Sequence, residues 1–402
     1  TAAVIIGKDK NFISGSDLKE FGKPITPPEL PQVIEAIEKC PKPIIAAISG
    51  ATLGGGYELA LGCDARLAAG NTIVGLPEVT LGMLPGAGGT QRLPRLIGLT
   101  KSIQVICSGK RYTANEALKL GMIDAIAEGD LRPFAVKFAK TALKNPLSSK
   151  NVEKDQSVEF DTIVKKALRA GKHRPPVQES IRLIKATAEV EFYESLAEER
   201  RVFQQLRIGE EAFARRHLFF AETNAKKVID LKSAQINPLK NIVVVGAGTM
   251  GTGIAVSALK AGFYVTVYDQ SNSILVQCKS RIDTIYEADI TSGRINTEQR
   301  DVQLAQLELT DHESAFENAD LVIEAIFEDL AMKQDLIRKI ESIASANTII
   351  ASNTSYIDLD EIAEVSLRPE NIVGIHFFNP AHIMRLVEVI HGNNTSQEVI
   401  ST

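Results

Sequence analysis

Four cysteines among 402 residues are too few for a disulfide framework. Cys40, Cys63, Cys107 and Cys278 form no C-x-x-C pair and match no zinc-site spacing, so free buried thiols in a reducing compartment are the reading. The chain lacks any run of roughly 18 uninterrupted apolar residues, which excludes an apolar membrane-spanning helix. It also lacks a signal peptide at its start. A strong charge of either sign is missing: 45 Lys plus Arg stand against 50 Asp plus Glu, a formal net charge of −5. Without a cluster of Lys and Arg there is no sign of a nucleic-acid surface, and a solvated exterior accounts for the mild acidity. The apolar and charged fractions, 44% and 24%, are those of a soluble globular protein. The length suits two to three domains at roughly 150 residues each.

What is present divides the chain in three. Residues 1–145 alternate short apolar runs with helical stretches, an α/β layering. Ile44-Ile45-Ala46-Ala47-Ile48 reads as a strand, followed by a Gly-rich turn and an apolar helix from about Gly55. Thr113-Ala114-Asn115-Glu116 has the form of a reciprocally capped helix start, and Gly121 ends that helix. Residues 146–237 read as a mainly helical linker. There Phe192, Leu196, Phe203 and Leu206 share one helical face, and the charges Glu198, Glu199, Arg200 and Arg201 are expected on other, solvated faces. From 238 to 402 strands and helices alternate again. Strand-like Ala2-Ala3-Val4-Ile5-Ile6 at the start and Glu398-Val399-Ile400-Ser401-Thr402 at the end are expected to be edges where domains were cut.

Two constellations carry chemistry. In the first, Gly54-Gly55-Gly56 opens a helix after a strand. Free N–H groups and the positive dipole end can hold an anion or a developing oxyanion there. A second glycine turn, Ser14-Gly15-Ser16-Asp17, offers another N–H. Glu58 lies in the first turn of the helix, and Glu78 follows Pro77 after Thr72-Ile73-Val74. Such a carboxylate pair can divide acid and base work over one water. By spacing alone, Glu58 serves equally to complement the helix dipole, and Glu78 to sit on a surface loop.

In the second, Gly246-Ala247-Gly248-Thr249-Met250-Gly251 follows Asn241-Ile242-Val243-Val244-Val245 and opens a helix. A second strand, Tyr264-Val265-Thr266-Val267-Tyr268, ends at Asp269. Strand, G-x-G-x-x-G, helix and a later acid are the dinucleotide-binding fingerprint, and an acid at that place selects NAD over NADP. Gly246, Gly248, Met250, Gly251 and Asp269 are the candidate cofactor residues.

The wider wording narrows both. Lys42-Pro43-Ile44-Ile45-Ala46-Ala47-Ile48-Ser49-Gly50, then Leu53-Gly54-Gly55-Gly56-Tyr57-Glu58, then Gly75-Leu76-Pro77-Glu78 and Leu84-Pro85-Gly86-Ala87-Gly88-Gly89-Thr90-Gln91-Arg92 resemble the crotonase family, and within it the enoyl-CoA hydratases. The resemblance implies a ββα spiral fold and an oxyanion hole from the backbone N–H groups of Ser16 and Gly55. It implies Glu58 and Glu78 as the residues handling the water and the α-proton, with possible Δ3-Δ2 isomerisation through Glu78. Ser14-Gly15-Ser16-Asp17 departs from the usual Ala-Gly-Ala-Asp, and the family's first strand and turn are absent.

From Lys240 onward, Asp320-Leu321-Val322-Ile323-Glu324-Ala325-Ile326-Phe327-Glu328, Lys333, Ala351-Ser352-Asn353-Thr354-Ser355, His376-Phe377-Phe378-Asn379-Pro380 and Glu388 resemble the 3-hydroxyacyl-CoA dehydrogenases. The resemblance implies a Rossmann-type domain with His376 as base and Glu388 as its partner. It places Ser355 on the substrate hydroxyl with Asn379 nearby, and Glu328 and Lys333 at the nicotinamide end of NAD. The family carries a further helical domain, and this sequence is expected to be cut before it. Hydratase before dehydrogenase in one chain resembles the multifunctional β-oxidation enzymes. That implies acyl-CoA substrates, NAD, no metal, no nucleic acid, and a peroxisomal location in a eukaryote or a cytoplasmic one in a bacterium. A thiolase partner stays open. Two alternatives remain: a first domain that is mainly an isomerase, or a scaffold that binds CoA esters and NAD without catalysis.

Overall fold

The computed structural model describes residues 2–8, 11–21, 23, 27–225 and 236–402. They fall into two compact units, Thr1–Lys227 and Val228–Thr402.

In the first unit the chain builds two small sheets alternately. Strand Ile44–Ile48 enters a four-stranded sheet, Ala51–Leu53 enters a three-stranded one, and helix Gly55–Gly62 follows. The cycle repeats with Ala65–Ala68, Ile73–Gly75 and helices Gly89–Ile97 and Leu99–Ser108, giving a ββα spiral. The larger sheet runs Ala3–Ile6, Ile44–Ile48, Ala65–Ala68, Ala125–Ile126, every neighbour parallel. A parallel sheet needs both faces covered. Ala46 and Ile48 accordingly face a core with Tyr57, Leu61 and Ile103, and Ile45 and Ala47 face Leu131 and Ala135 of helix Leu131–Ala139. Helix Ala114–Leu120 begins at Thr113 with both bonds of the capping box and ends at Gly121, φ 84°.

The segment expected to be a linker is built into this unit. Its helices are Val158–Ala170, Pro175–Ala186, Phe192–Arg207 and Glu210–Ala225. Phe160, Val164, Val177, Ile181 and Ile184 join the larger core, and Leu183 and Val202 close on Leu84. Phe192 is covered by the guanidinium groups of Arg92 and Arg95, 5.2 and 4.8 Å from its ring centre.

The second unit is a seven-stranded sheet in the order Leu307–Thr310, Tyr264–Tyr268, Asn241–Val245, Leu321–Glu324, Ile349–Ser352, Ile372–Phe377, Val387–Ile390. The first six are parallel and the last antiparallel. Ile242 and Val244 face one core, Val243 and Val245 the other. The chain leaves Asn241–Val245 in one direction and returns on its other side at Leu321–Glu324. A reversal of strand order of this kind opens a crevice at the carboxyl ends of the strands.

Candidate functional sites

The first site is a cavity of about 760 Å³ whose walls include Ser16, Gly55, Glu58, Glu78, Arg200 and Phe203. Gly54 turns the chain from strand to helix at φ 54°. A Cβ there would stand 3.1 Å from Glu78 Oε1, so the glycine both permits the turn and leaves room for the carboxylate. The Ser16 and Gly55 segments meet, because a Cβ on Gly55 would lie 3.3 Å from Ser16 Oγ. Neither residue's N–H donates to a protein acceptor among the described residues, which leaves two donors at the cavity wall.

Glu58 is 3% exposed. Its Oε1 accepts from the N–H groups of Ala87 at 2.7 Å and Gly89 at 2.8 Å. Burial raises its pKa, and those two N–H groups, with Arg92 and Arg200 more weakly, oppose the rise. Glu78 begins a short 3-10 turn, Glu78–Leu81. Its Oε2 is buried with no hydrogen-bond partner. Burial first, then the charge of Glu58, holds its pKa well above the usual carboxylate range. Two like groups are thus pushed apart: Glu58 has the N–H groups of Ala87 and Gly89 to favour its anion, and Glu78 has only its own backbone N–H.

One residue of this neighbourhood escaped the sequence reading. Glu199, expected on a solvated face, has no exposed surface. It lies three residues after Leu196 and four before Phe203, so it belongs to the apolar face itself. That spacing was the available signal. Arg200 turns into the cavity, donating to Gly86 O at 3.2 Å and pairing with Glu29.

The second site sits at the carboxyl ends of the parallel strands. Gly246 has φ 96°, and a Cβ on Gly251 would fall 1.8 Å from Gly246 O; only glycine allows the turn to pack so tightly. Helix Thr249–Lys260 starts here without a side-chain cap, Met250 half-buried in its first turn. A Cβ on Gly248 would meet nothing within 4 Å, so there is open space at the helix N-terminus. Asp269 accepts from Ala247 N at 2.9 Å and from Ser271 N at 2.9 Å, one bond per carboxylate oxygen, which leaves acceptor capacity on each. Open space at uncapped N–H groups, beside an oriented carboxylate, fits a dinucleotide's pyrophosphate and ribose.

His376 and Glu388 face each other across the antiparallel strand pair, and His376 Nδ1 lies 2.8 Å from Glu388 Oε2. On the other side of the ring, Nε2 lies 3.3 Å from Ser355 Oγ. Asn379 is exposed just past the same strand. Glu328 accepts from Ser355 N at 2.8 Å and from the Thr354 hydroxyl. Lys333 is 1% exposed, its ammonium enclosed by Glu324 at 2.7 Å and Glu328 at 3.3 Å. It therefore presents no free donor; Glu328 is the more open member of that pair. Glu324, also bonded to the Ser352 hydroxyl, was not singled out from the sequence.

Among the described residues no helix is long and apolar enough to cross a membrane, and no group of three or more His, Cys, Asp or Glu could hold a metal. Residues 1–176 match the enoyl-CoA hydratase/isomerase family, and residues 241–402 match the 3-hydroxyacyl-CoA dehydrogenase NAD-binding domain. A "peroxisomal bifunctional enzyme" of Danio rerio is 37% identical over 413 residues, covering 100% of this chain and 57% of that protein. The Homo sapiens protein of the same name is 36% identical, again with 100% and 57% covered. A solved structure described as the dehydrogenase part of a multifunctional enzyme from C. elegans is 32% identical over 42% of this chain and 39% of that one, with a TM-score of 0.39. The chain thus spans little more than half the length of the curated relatives it matches. It joins a domain that matches the enoyl-CoA hydratase/isomerase family to one that matches the NAD-binding domain of the 3-hydroxyacyl-CoA dehydrogenase family.

Proposed function

We propose that the first unit hydrates 2-trans-enoyl-CoA to 3-hydroxyacyl-CoA and that the second oxidises this product to 3-ketoacyl-CoA with NAD, two successive steps of fatty-acid β-oxidation. The observation that carries the reading is the asymmetric pair Glu58 and Glu78 in one cavity with two free backbone donors.

The thioester oxygen is held by the N–H groups of Ser16 and Gly55, which stabilise enolate charge; such a donor is worth about 3 kcal/mol of barrier. Glu58, held toward its anion by Ala87 and Gly89, takes a proton from water as the oxygen bonds to the β-carbon. Glu78, kept protonated by burial and by Glu58, gives its proton to the α-carbon, and the thioester carbonyl re-forms. The unpartnered Oε2 of Glu78 suits a proton shuttle as well, so Δ3-Δ2 isomerisation at the same site is the second reading.

In the second unit Gly246, Gly248, Met250, Gly251 and Asp269 would hold NAD, with Glu328 toward the nicotinamide end. Bound NAD supplies the two-electron acceptor. Glu388 fixes the His376 tautomer with the proton on Nδ1, leaving Nε2 to accept the proton of the substrate hydroxyl. Ser355 Oγ, already beside Nε2, orients that hydroxyl, with Asn379 at the rim. The peroxisomal relatives favour a peroxisomal location if the source is eukaryotic.

The test is sequential. A short 2-enoyl-CoA is added and the conjugated thioester absorbance followed; NAD is then added and NADH followed. Loss of the first signal and an NAD-dependent rise in the second are expected. No change in either, with both ligands bound, would favour a non-catalytic scaffold.

A further inference from the structure

The turn Ala87–Thr90, leading into helix Gly89–Ile97, is gripped by two carboxylates at once. Glu58 takes the N–H groups of Ala87 and Gly89. Glu199 takes the alternate ones, Gly88 at 2.6 Å and Thr90 at 2.9 Å, and also the Thr90 hydroxyl at 2.5 Å. Gln91 Nε2 donates in turn to that hydroxyl at 2.9 Å. The helix has no side-chain cap of its own, its N-cap being Gly88 at φ 103°. Its first N–H groups are instead shared between a residue of the cavity and a residue 109 positions further along the chain. A fully buried carboxylate costs several kcal/mol unless it is hydrogen-bonded on both oxygens, and Glu199 is.

We propose that Glu199 is a positioning residue for the Glu58/Glu78 pair: by fixing the Ala87–Thr90 turn from the helical segment, it sets where Glu58 stands and keeps a third acidic group beside the pair. The proposal rests on the hydratase reading for its kinetic part alone. The charged groups around Glu199 are Glu58 on helix Gly55–Gly62, Glu78 on its 3-10 turn, and Arg92 on helix Gly89–Ile97, itself paired with Glu38 at 2.6 Å. Arg200 is the neighbour on the same helix. Burial, then the charge of Glu58, pushes Glu199 up to about 8, and the charge of Glu199 in turn raises Glu78. The three carboxylates therefore titrate as one cluster.

Glu199→Gln separates positioning from plain packing. The glutamine oxygen can accept from one of Gly88 N and Thr90 N, but its NH2 then faces the other donor. The full chain is used for both measurements. Hydration kinetics should show kcat lower by roughly tenfold to hundredfold, as expected for a small displacement of a reacting group, with KM for the enoyl-CoA near the parent value. The Glu78 carboxyl, followed by 13C NMR of glutamate-labelled protein and assigned with Glu78→Gln, should titrate at lower pH than in the parent. Glu199→Asp keeps the charge and should leave the Glu78 titration nearer the parent while still lowering kcat. Thr90→Val removes one donor at little cost in shape and should lower kcat in the same direction, which covers a Glu199 variant that fails to fold. Parent kcat together with an unmoved Glu78 titration, whatever the melting temperature, would overturn the proposal. A parent chain that hydrates nothing would sink the hydratase reading instead, while the Glu78 titration would still decide whether Glu199 acts on the pair.

Discussion

Glu58 and Glu78 are the same functional group in the same cavity, and their surroundings set their acidities apart. Glu58 is held by two N–H groups, whereas Glu78 has a bare buried oxygen. Glu78→Gln should abolish hydration and leave CoA-ester binding near normal; retained turnover would refute the assignment. The same substitution should raise stability, increasingly so as pH rises. A carboxyl whose pKa is raised by folding contributes fully below its unfolded pKa and loses that contribution as pH climbs through the folded value. Glutamine never has to ionise in the cavity. Thermal melts of parent and variant should therefore differ little near about pH 5 and more near about pH 8; a gain confined to the acid side would contradict the burial argument. At the other site, Glu388→Gln presents an NH2 as well as an oxygen to His376 Nδ1. The amide can pull the imidazole into the tautomer that protonates Nε2, so NADH formation should fall on the order of 10²-fold or more, read as kcat at saturating NAD.

At the scale of elements, much was legible because the signals were local. Thr113 and Glu116 are three residues apart, and the structure has both capping bonds and the left-handed Gly121 at the other end. Asn241–Val245 and Tyr264–Tyr268 are strands where runs rich in β-branched and aromatic residues place them. The glycine turn between them carries its own test. Gly251→Ala forces a Cβ onto Gly246 O, a backbone atom that cannot step aside, so NAD binding by calorimetry should be lost while hydration persists. What local spacing did not reveal was pairing over distance. Glu199 reaches Gly88 across 111 positions, and reading its neighbours' charges as a solvated face hid its place on the apolar stripe. Lys333 was expected at the nicotinamide end, but its enclosure by Glu324 depends on a strand end and a helix meeting and could not be read from the sequence. His376 and Glu388 became a pair through strand register, something the resemblance implied and the spacing of twelve residues does not by itself dictate.

For the whole molecule, each hydrophobic cluster among the described residues is made of residues of one unit. Those around Tyr57, Ile45 and Leu84 draw only on the first unit, and those around Val244 and Val243 only on the second. Each reacting group is thus braced by the packing of its own unit, and substitutions in separate cores act nearly additively. The two proposed activities should then be separable by single substitutions in the intact chain. Glu78→Gln, supplied directly with 3-hydroxyacyl-CoA and NAD, should form NADH at the parent rate, since the glycine turn is held by Asp269 and His376 by Ser355 and Glu388, all of the second unit. His376→Ala, supplied with 2-enoyl-CoA, should hydrate at the parent rate and accumulate the 3-hydroxy product even with NAD present. Mixing the two variants should restore NADH formation from 2-enoyl-CoA, because the intermediate is a free small molecule that either chain can bind. A dehydrogenase rate that falls in Glu78→Gln would show that the first unit shapes the second site, and the separate-core argument would fail at that point.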